Sequence, residues 1–170
     1  MSFTVRRAAL HDAKTLSVLG TTTFVETFGH LYPPADLESF LPGAYGLARI
    51  RHDLADMRSA TWLGEEDGEA VGYALVGPCQ LPHLDAKPHE GELKRLYLLA
   101  SHQGGGRGSR LLEAALGWLE ENAPGPLWIG VWSGNHGAQR LYARRGFVKV
   151  GEYEFPVGET RDHELIFRRG

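Results

Sequence analysis

The chain contains a single cysteine, Cys79. An internal disulfide is thereby excluded, and with it the class of small secreted scaffolds held by several bridges. The neighbours of Cys79, Pro78 and Gln80, supply no base to activate a thiolate, so a structural thiol is expected. Positive charge is not in excess either: 18 Lys and Arg stand against 21 Asp and Glu, a formal net charge of -3. The basic face that nucleic-acid binding requires is missing. No run approaches the ~18 apolar residues of a membrane-spanning helix. The N-terminal MSFTVRRAALHDA lacks the apolar core of a secretory signal, so a cytoplasmic location is expected, with no membrane partner. The 8 histidines are scattered, and no Cys/His cluster has zinc-type spacing; no metal is expected.

What remains is an ordinary globular composition: 42% hydrophobic and 23% charged residues in a chain of 170. That length suits one domain, residues 1–170. Phe3 to Arg7 reads as a strand. His11 to Phe28 reads as a helix, because Leu16, Leu19, Thr23 and Phe24 recur at three- and four-residue steps. Pro33-Pro34 breaks it, and further helices are expected from about Ala35 and over about Gly46 to Met57. The period then changes. Ala60 to Glu65 and Glu69 to Val76 are rich in β-formers, and the Asp67-Gly68 between them predicts a hairpin turn with positive φ. Glu92 to Leu99 and Leu127 to Trp132 read as buried strands. A helix carrying Leu111, Leu112, Ala115, Leu116 and Leu119 joins them, which predicts a parallel, right-handed crossover unit. Asn135 to Arg145 reads as a short helix, followed by strands at Phe147 to Phe155 and His163 to Arg168. The whole is expected to be a mixed α/β (α+β) sandwich.

The segment Gln103-Gly104-Gly105-Gly106-Arg107-Gly108-Ser109 lies between the first buried strand and its helix. Glycine is the residue most costly to order. A strand that ends in glycines and opens into a helix gathers unpaired N–H groups and the positive end of the helix dipole in one place, which makes an anion site. Arg107 and Arg110 are expected to add mobile positive charge at its rim. No Lys-Ser or Lys-Thr follows the glycines, which excludes the G-x-x-x-x-G-K-[ST] phosphate loop. The dinucleotide pattern G-x-G-x-x-G fails at Ser109, and the strand LWIGVW lacks the acidic residue a ribose requires.

The pattern Q/R-x-x-G-x-G fits without a defect, from Gln103 to Gly108. It follows the strand ELKRLYLL and opens a helix. Asn135-x-x-Ala138-x-x-x-Tyr142-x-x-x-Gly146-Phe147 comes downstream on the next strand and helix. Together these resemble the two signatures of the GNAT family of acyl-CoA-dependent N-acetyltransferases, over about Glu92 to Phe155. The strings TFVETF, ELKRLY and GVW are similar to the bacterial polyamine (spermidine/spermine) branch.

The resemblance implies a central, mostly antiparallel sheet with one splayed parallel strand pair and helices on both faces. It implies acetyl-CoA as cosubstrate, a primary amine of a small, polyamine-like molecule as acceptor, direct attack in a ternary complex, and homodimers for many members. Acetylation of a protein or peptide amine and a non-catalytic acyl-CoA sensor are the alternatives. In the family's arrangement Gln103, Gly104, Gly105, Gly106, Arg107, Gly108 and Ser109 hold the pyrophosphate. The backbone of Leu96, Tyr97 and Leu98 pairs with the pantetheine arm, and one of its N–H groups polarises the thioester carbonyl. Asn135 orients the pantetheine. Tyr142 is the general acid for the departing thiolate, or a core ring. Arg144 reaches a phosphate, or is an exposed helix-end cation.

An amine of pKa ~10.4 arrives protonated and must lose a proton before attack. Glu92 is the first candidate acceptor of that proton, or a strand-end charge. Glu26 is the second, as base or as holder of a cationic substrate. Trp132, at the end of its strand, is placed near the cleft.

Overall fold

The computed structural model describes residues 2–170. Its strands are β1 (Phe3–Arg7), β2 (Ala60–Glu66), β3 (Glu69–Pro78), β4 (Gly91–Leu98), β5 (Leu127–Trp132), β6 (Val148–Val157) and β7 (Thr160–Arg169). The α-helices are α1 (Ala13–Phe28), α2 (Pro34–Tyr45), α3 (Leu47–Ala55), α4 (Arg107–Asn122) and α5 (His136–Arg144). The strands form one sheet of order β1-β2-β3-β4-β5-β7-β6. Every neighbouring pair is antiparallel except β4 and β5.

Two apolar layers sandwich this sheet. On one face Leu111, Leu112, Ala115, Leu116 and Leu119 of α4 pack with Leu93, Ile129, Val131 and Phe167, as the spacing along α4 predicts. On the other face Leu16, Leu19, Phe24 and Phe28 of α1 meet Leu63, Tyr73 and Val157. The hairpin turn falls on Asp67 (φ 50°) and Gly68 (φ 87°), with the positive φ that its sequence requires.

Two expectations shift. The helix read from His11 starts at Ala13, because Leu10–Asp12 form a 3-10 turn. The Asp12 carboxylate accepts the Ala9 N–H at 2.8 Å and binds Arg6, which holds that turn in place. The last two strands are longer than their apolar residues suggest and pair out to Val157↔Thr160. The polar tip is held from outside its own strands. Asp36 on α2 accepts the Glu159 N–H at 3.0 Å and the Thr160 hydroxyl. α2 is thereby fastened to the β6–β7 hairpin above one face of the sheet.

Candidate active site

β4 and β5 pair over only three rows, ending at Leu93↔Ile129. Beyond that row the strands diverge, and the β5-facing backbone groups of β4 are left without a ladder. On its other edge β4 stays bound to β3, with one irregularity. Leu75 pairs with Arg95 and Val76 with Leu93, so Lys94 is an extra, bulged residue at the point where the V opens. The open V continues into a cleft of about 660 Å³, bounded by β4, β5, the β6–β7 hairpin and helices α1 and α2. Its walls are rich in aromatic rings, including Phe28, Phe40, Trp132 and Phe155. Phe40 meets Phe155 edge-on at 5.8 Å, which closes the cleft at the hairpin end.

The glycine segment leads from β4 into α4. Gly104, Gly105 and Gly106 have φ of 85°, 65° and 79°. Three consecutive left-handed residues are open to glycine at little cost, which is why the sequence spends them here. The N–H groups of Gly105, Gly106, Gly108 and Ser109 find no acceptor among the described residues. Gly108 has neither a positive φ nor a crowded Cβ position; an added Cβ would meet only Leu98 Cδ1, at 3.7 Å. Nothing inside the fold requires its side chain to be missing. The cradle therefore fits a pyrophosphate bound by main-chain donors at a helix N-terminus.

The arginines depart from expectation. Arg107 is not mobile: its Nη2 donates to both oxygens of buried Glu66, at 2.8 and 3.1 Å, and its Nη1 to Gly104 O. Arg110 donates to Phe3 O, on β1. Both guanidinium groups face the β1–β2 side, because the first turn of α4 packs over the ends of those strands. Arg144 is exposed at the last residue of α5. Gln103 is also exposed, and its side chain donates to Leu98 O at 3.4 Å.

The structure brings Tyr97, Asn135, Tyr142 and Glu92 to one cleft. Tyr142 is 5% exposed, and burial holds its phenol above the ordinary tyrosine range. Asn135 lines the cleft and caps α5, its side-chain oxygen accepting the Ala138 N–H at 3.1 Å. Glu92, the second residue of β4, is not an exposed strand-end charge. It is 7% exposed, accepts the Gln80 N–H at 2.9 Å and lies 3.6 Å from Lys94 Nζ. Burial, opposed by Lys94, pushes its carboxyl up.

Glu26 is not brought to this cleft. It is exposed and accepts the Ala100 N–H at 3.1 Å. Phe24 and Phe28 take the cleft side of α1. A residue midway between two others four apart lies on the opposite side of a helix.

Two acids missing from the sequence reading do line the cleft, Asp162 and Glu164. Asp162 accepts the Tyr32 hydroxyl, and burial pushes its carboxyl up. Burial, with a smaller contribution from Asp162, pushes Glu164 up to about 7. Neither has a basic partner among the described residues. Their signal was the Asp-x-Glu spacing, which puts both carboxylates on one face of a strand. A strand read from His163 leaves Asp162 outside it, which hides the pairing with Glu164.

A family model described as "Acetyltransferase (GNAT) family" matches residues 24–147, and the chain belongs to that family. It is an N-acetyltransferase, and acetyl-CoA is its acetyl donor. An uncharacterized N-acetyltransferase from Lactobacillus delbrueckii subsp. lactis is 28% identical over 158 residues, covering 93% of this chain and 91% of that protein. A protein named probable spermine N(1)-acetyltransferase, from Bacillus subtilis subsp. natto, is 30% identical over 102 residues, 58% of this chain and 66% of its own. The PaiA N-acetyltransferase of Thermoplasma acidophilum, solved in complex with coenzyme A, shares the fold: TM-score 0.76, 17% identity, 99% of each chain. No helix among the described residues is long and apolar enough to cross a membrane.

Proposed function

We propose that the protein acetylates a primary amine of a small cationic, polyamine-like molecule by direct attack in a ternary complex. The observation that carries this reading is the pairing of two carboxylates, Asp162 and Glu164, with aromatic walls in a cleft whose own cations, Lys94, Arg49 and Arg95, are engaged by Glu92, Asp53 and the Ala44 carbonyl. An ammonium group supplies the missing charge, and aromatic faces add cation–π attraction. Similarity to a protein named as a spermine acetyltransferase supports the same class. The Asp36 and Phe40 contacts close the hairpin end and favour a compact acceptor over an extended peptide.

Acetyl-CoA brings an activated thioester to the V. The main-chain donors of Gly105 to Ser109 hold its phosphates, and the β5-facing edge of Leu96 to Leu98 receives its pantetheine as an added strand. Asn135 fixes the arm from the opposite strand end. Tyr142 is the general acid: a phenol kept protonated by burial returns a proton to sulfur. No side chain needs to carry the acetyl group.

Thiol release from acetyl-CoA, followed with spermidine, simple monoamines, amino acids and an N-terminal peptide, tests the reading. Turnover highest with spermidine or a diamine is expected, with the N-acetyl product seen by mass spectrometry. Turnover confined to the peptide would overturn the small-acceptor assignment.

A further inference from the structure

Glu164 stands directly opposite Trp132 of β5 on one side and Tyr153 of β6 on the other. Directly opposed residues in antiparallel ladders share a sheet face. Its carboxyl is therefore flanked by both rings on the cleft side, at a row where β5 has already parted from β4. Tyr153 leans inward across β7. A Cβ at Gly130 would lie 2.8 Å from the Tyr153 hydroxyl, so Gly130 is what lets that phenol reach β5. From β4 comes Tyr97, whose phenol is pushed well up, first by burial and to a smaller extent by Tyr142 and Glu164 among its neighbours. One phenol is thus within electrostatic reach of both the general acid and Glu164.

The two cleft glutamates differ in their engagements. Glu92 is held by the Gln80 N–H and by Lys94. Glu164 Oε2 is buried with no hydrogen-bond partner among the described residues. We propose that Glu164, and not Glu92, is the catalytic residue that takes the proton from the acceptor ammonium; the assignment rests on the amine-acetyltransferase reading above. Glu92 is instead a positioning residue, tying the bulged Lys94 to the Gln80 loop at the apex of the V.

The proton inventory closes. One proton passes from the ammonium to the Glu164 carboxylate, leaving a free amine and a neutral carboxyl. The amine lone pair forms the new N–C bond at the acetyl carbonyl carbon, and the C–S bond breaks with its electron pair on sulfur. Tyr142 gives its proton to sulfur and recovers one from the nitrogen, which ends as a neutral amide. Glu164 releases its proton to solvent. A carboxyl near 7 suits this role at neutral pH. The ionisable groups whose charge reaches it are Asp162 on its own strand, Tyr153 from β6, which also senses Glu92, Tyr97 from β4, which also senses Arg95 and Tyr142, and, through Asp162, Tyr32 from the α1–α2 connection.

The test compares Glu164→Gln, Glu164→Asp and Glu92→Gln with the wild type, using spermidine as probe. Turnover is followed against pH, and carboxyl carbons are followed by NMR in glutamate-labelled protein. Glu164→Gln is expected to lose at least ~100-fold in kcat/KM, together with the rising limb near neutral pH. Acetyl-CoA should still raise its Tm. Glu164→Asp should recover part of the rate. One carboxyl resonance should titrate near neutral pH in the wild type and in Glu92→Gln, and be absent from Glu164→Gln. An intact rate and rising limb in Glu164→Gln, or their loss in Glu92→Gln alone, would overturn the assignment, as would the absence of any such resonance. Absence of turnover in the wild type with every amine overturns the proposed function, and this assignment with it.

Discussion

Arg107 and Glu66 are joined by two contacts from one guanidinium nitrogen, at 2.8 and 3.1 Å, across the gap between α4 and β2. The pair ties the first residue of α4 to the end of a strand remote from the V. Arg107 is therefore part of the frame that holds the cradle, and the phosphate site is left to main-chain donors. Arg107→Ala leaves Glu66, 8% exposed, with His102 at 3.6 Å in place of its guanidinium partner. Breaking a buried pair from one side costs about 3–5 kcal/mol, and the lower end applies because Arg107 keeps partial access to water. Urea unfolding should show that loss. An unchanged unfolding midpoint with a collapsed coenzyme A affinity would place the guanidinium on the ligand instead.

The four cradle glycines are expected to answer alanine in two opposite ways. Gly106→Ala forces a Cβ into left-handed backbone at φ 79°, which costs ~1–2 kcal/mol of stability. Gly108 has helical backbone and room for a methyl beside Leu98. Gly108→Ala should therefore leave stability unchanged or raise it by up to ~1 kcal/mol. It should still weaken coenzyme A binding, because the new methyl stands among the free N–H groups. Thermal melts with and without coenzyme A separate the two effects. Full retention of affinity in Gly108→Ala would show that the phosphates lie elsewhere.

Tyr142→Phe removes one oxygen from a ring that is 5% exposed and packs near Phe147, at 6.5 Å between centroids. The ring and its packing persist, so the Tm and the rise produced by acetyl-CoA should not change. Turnover should fall ~100-fold or more if the hydroxyl is the proton donor to sulfur. Because burial raises this phenol, the wild-type rate should show no falling limb from Tyr142 below pH ~10. Equal rates in the two proteins would remove Tyr142 from the chemistry and leave it as a core residue.

How much of this was legible beforehand follows the range of the forces involved. The cradle was legible because its cause is local: three consecutive residues at positive φ strongly favour glycine, and the apolar spacing of a helix follows them directly. The core face of α4 was legible for the same reason, since helical spacing is a local record of burial. The partners of charged side chains were not. Nothing near Arg107 announces Glu66, which lies on a strand far away in sequence, and nothing near Glu26 shows that Phe24 and Phe28 claim the cleft side of α1. Asp162 and Glu164 were hidden because a polar hairpin tip is stabilised by α2 through Asp36, a contact between distant parts of the chain. Catalytic acids were sought where family patterns and strand ends suggested them, whereas tertiary packing brought others to the cleft.

The burial that prepares Glu164 for proton transfer should also make it a liability to the fold. Its carboxyl ionises near pH 7 in the folded protein, against 4.5 for an unperturbed glutamate. A carboxyl whose folded value lies above its unfolded value favours the folded state most when protonated. That contribution is fully present below about pH 4.5 and is lost as pH rises through 7. At pH 8 the ligand-free wild type therefore holds an unpaired, partly buried negative charge beside Asp162. Glu164→Gln removes the charge and keeps the shape. Its Tm should exceed that of the wild type by several degrees at pH 8, and the difference should vanish near pH 4.5. A cationic amine bound in the cleft should narrow the gap at pH 8 by supplying the missing partner to the wild type alone. A Glu164→Gln protein less stable than wild type at pH 8 would mean that the carboxylate is already compensated in the folded state, and the tension between stability and catalysis at this position would be absent.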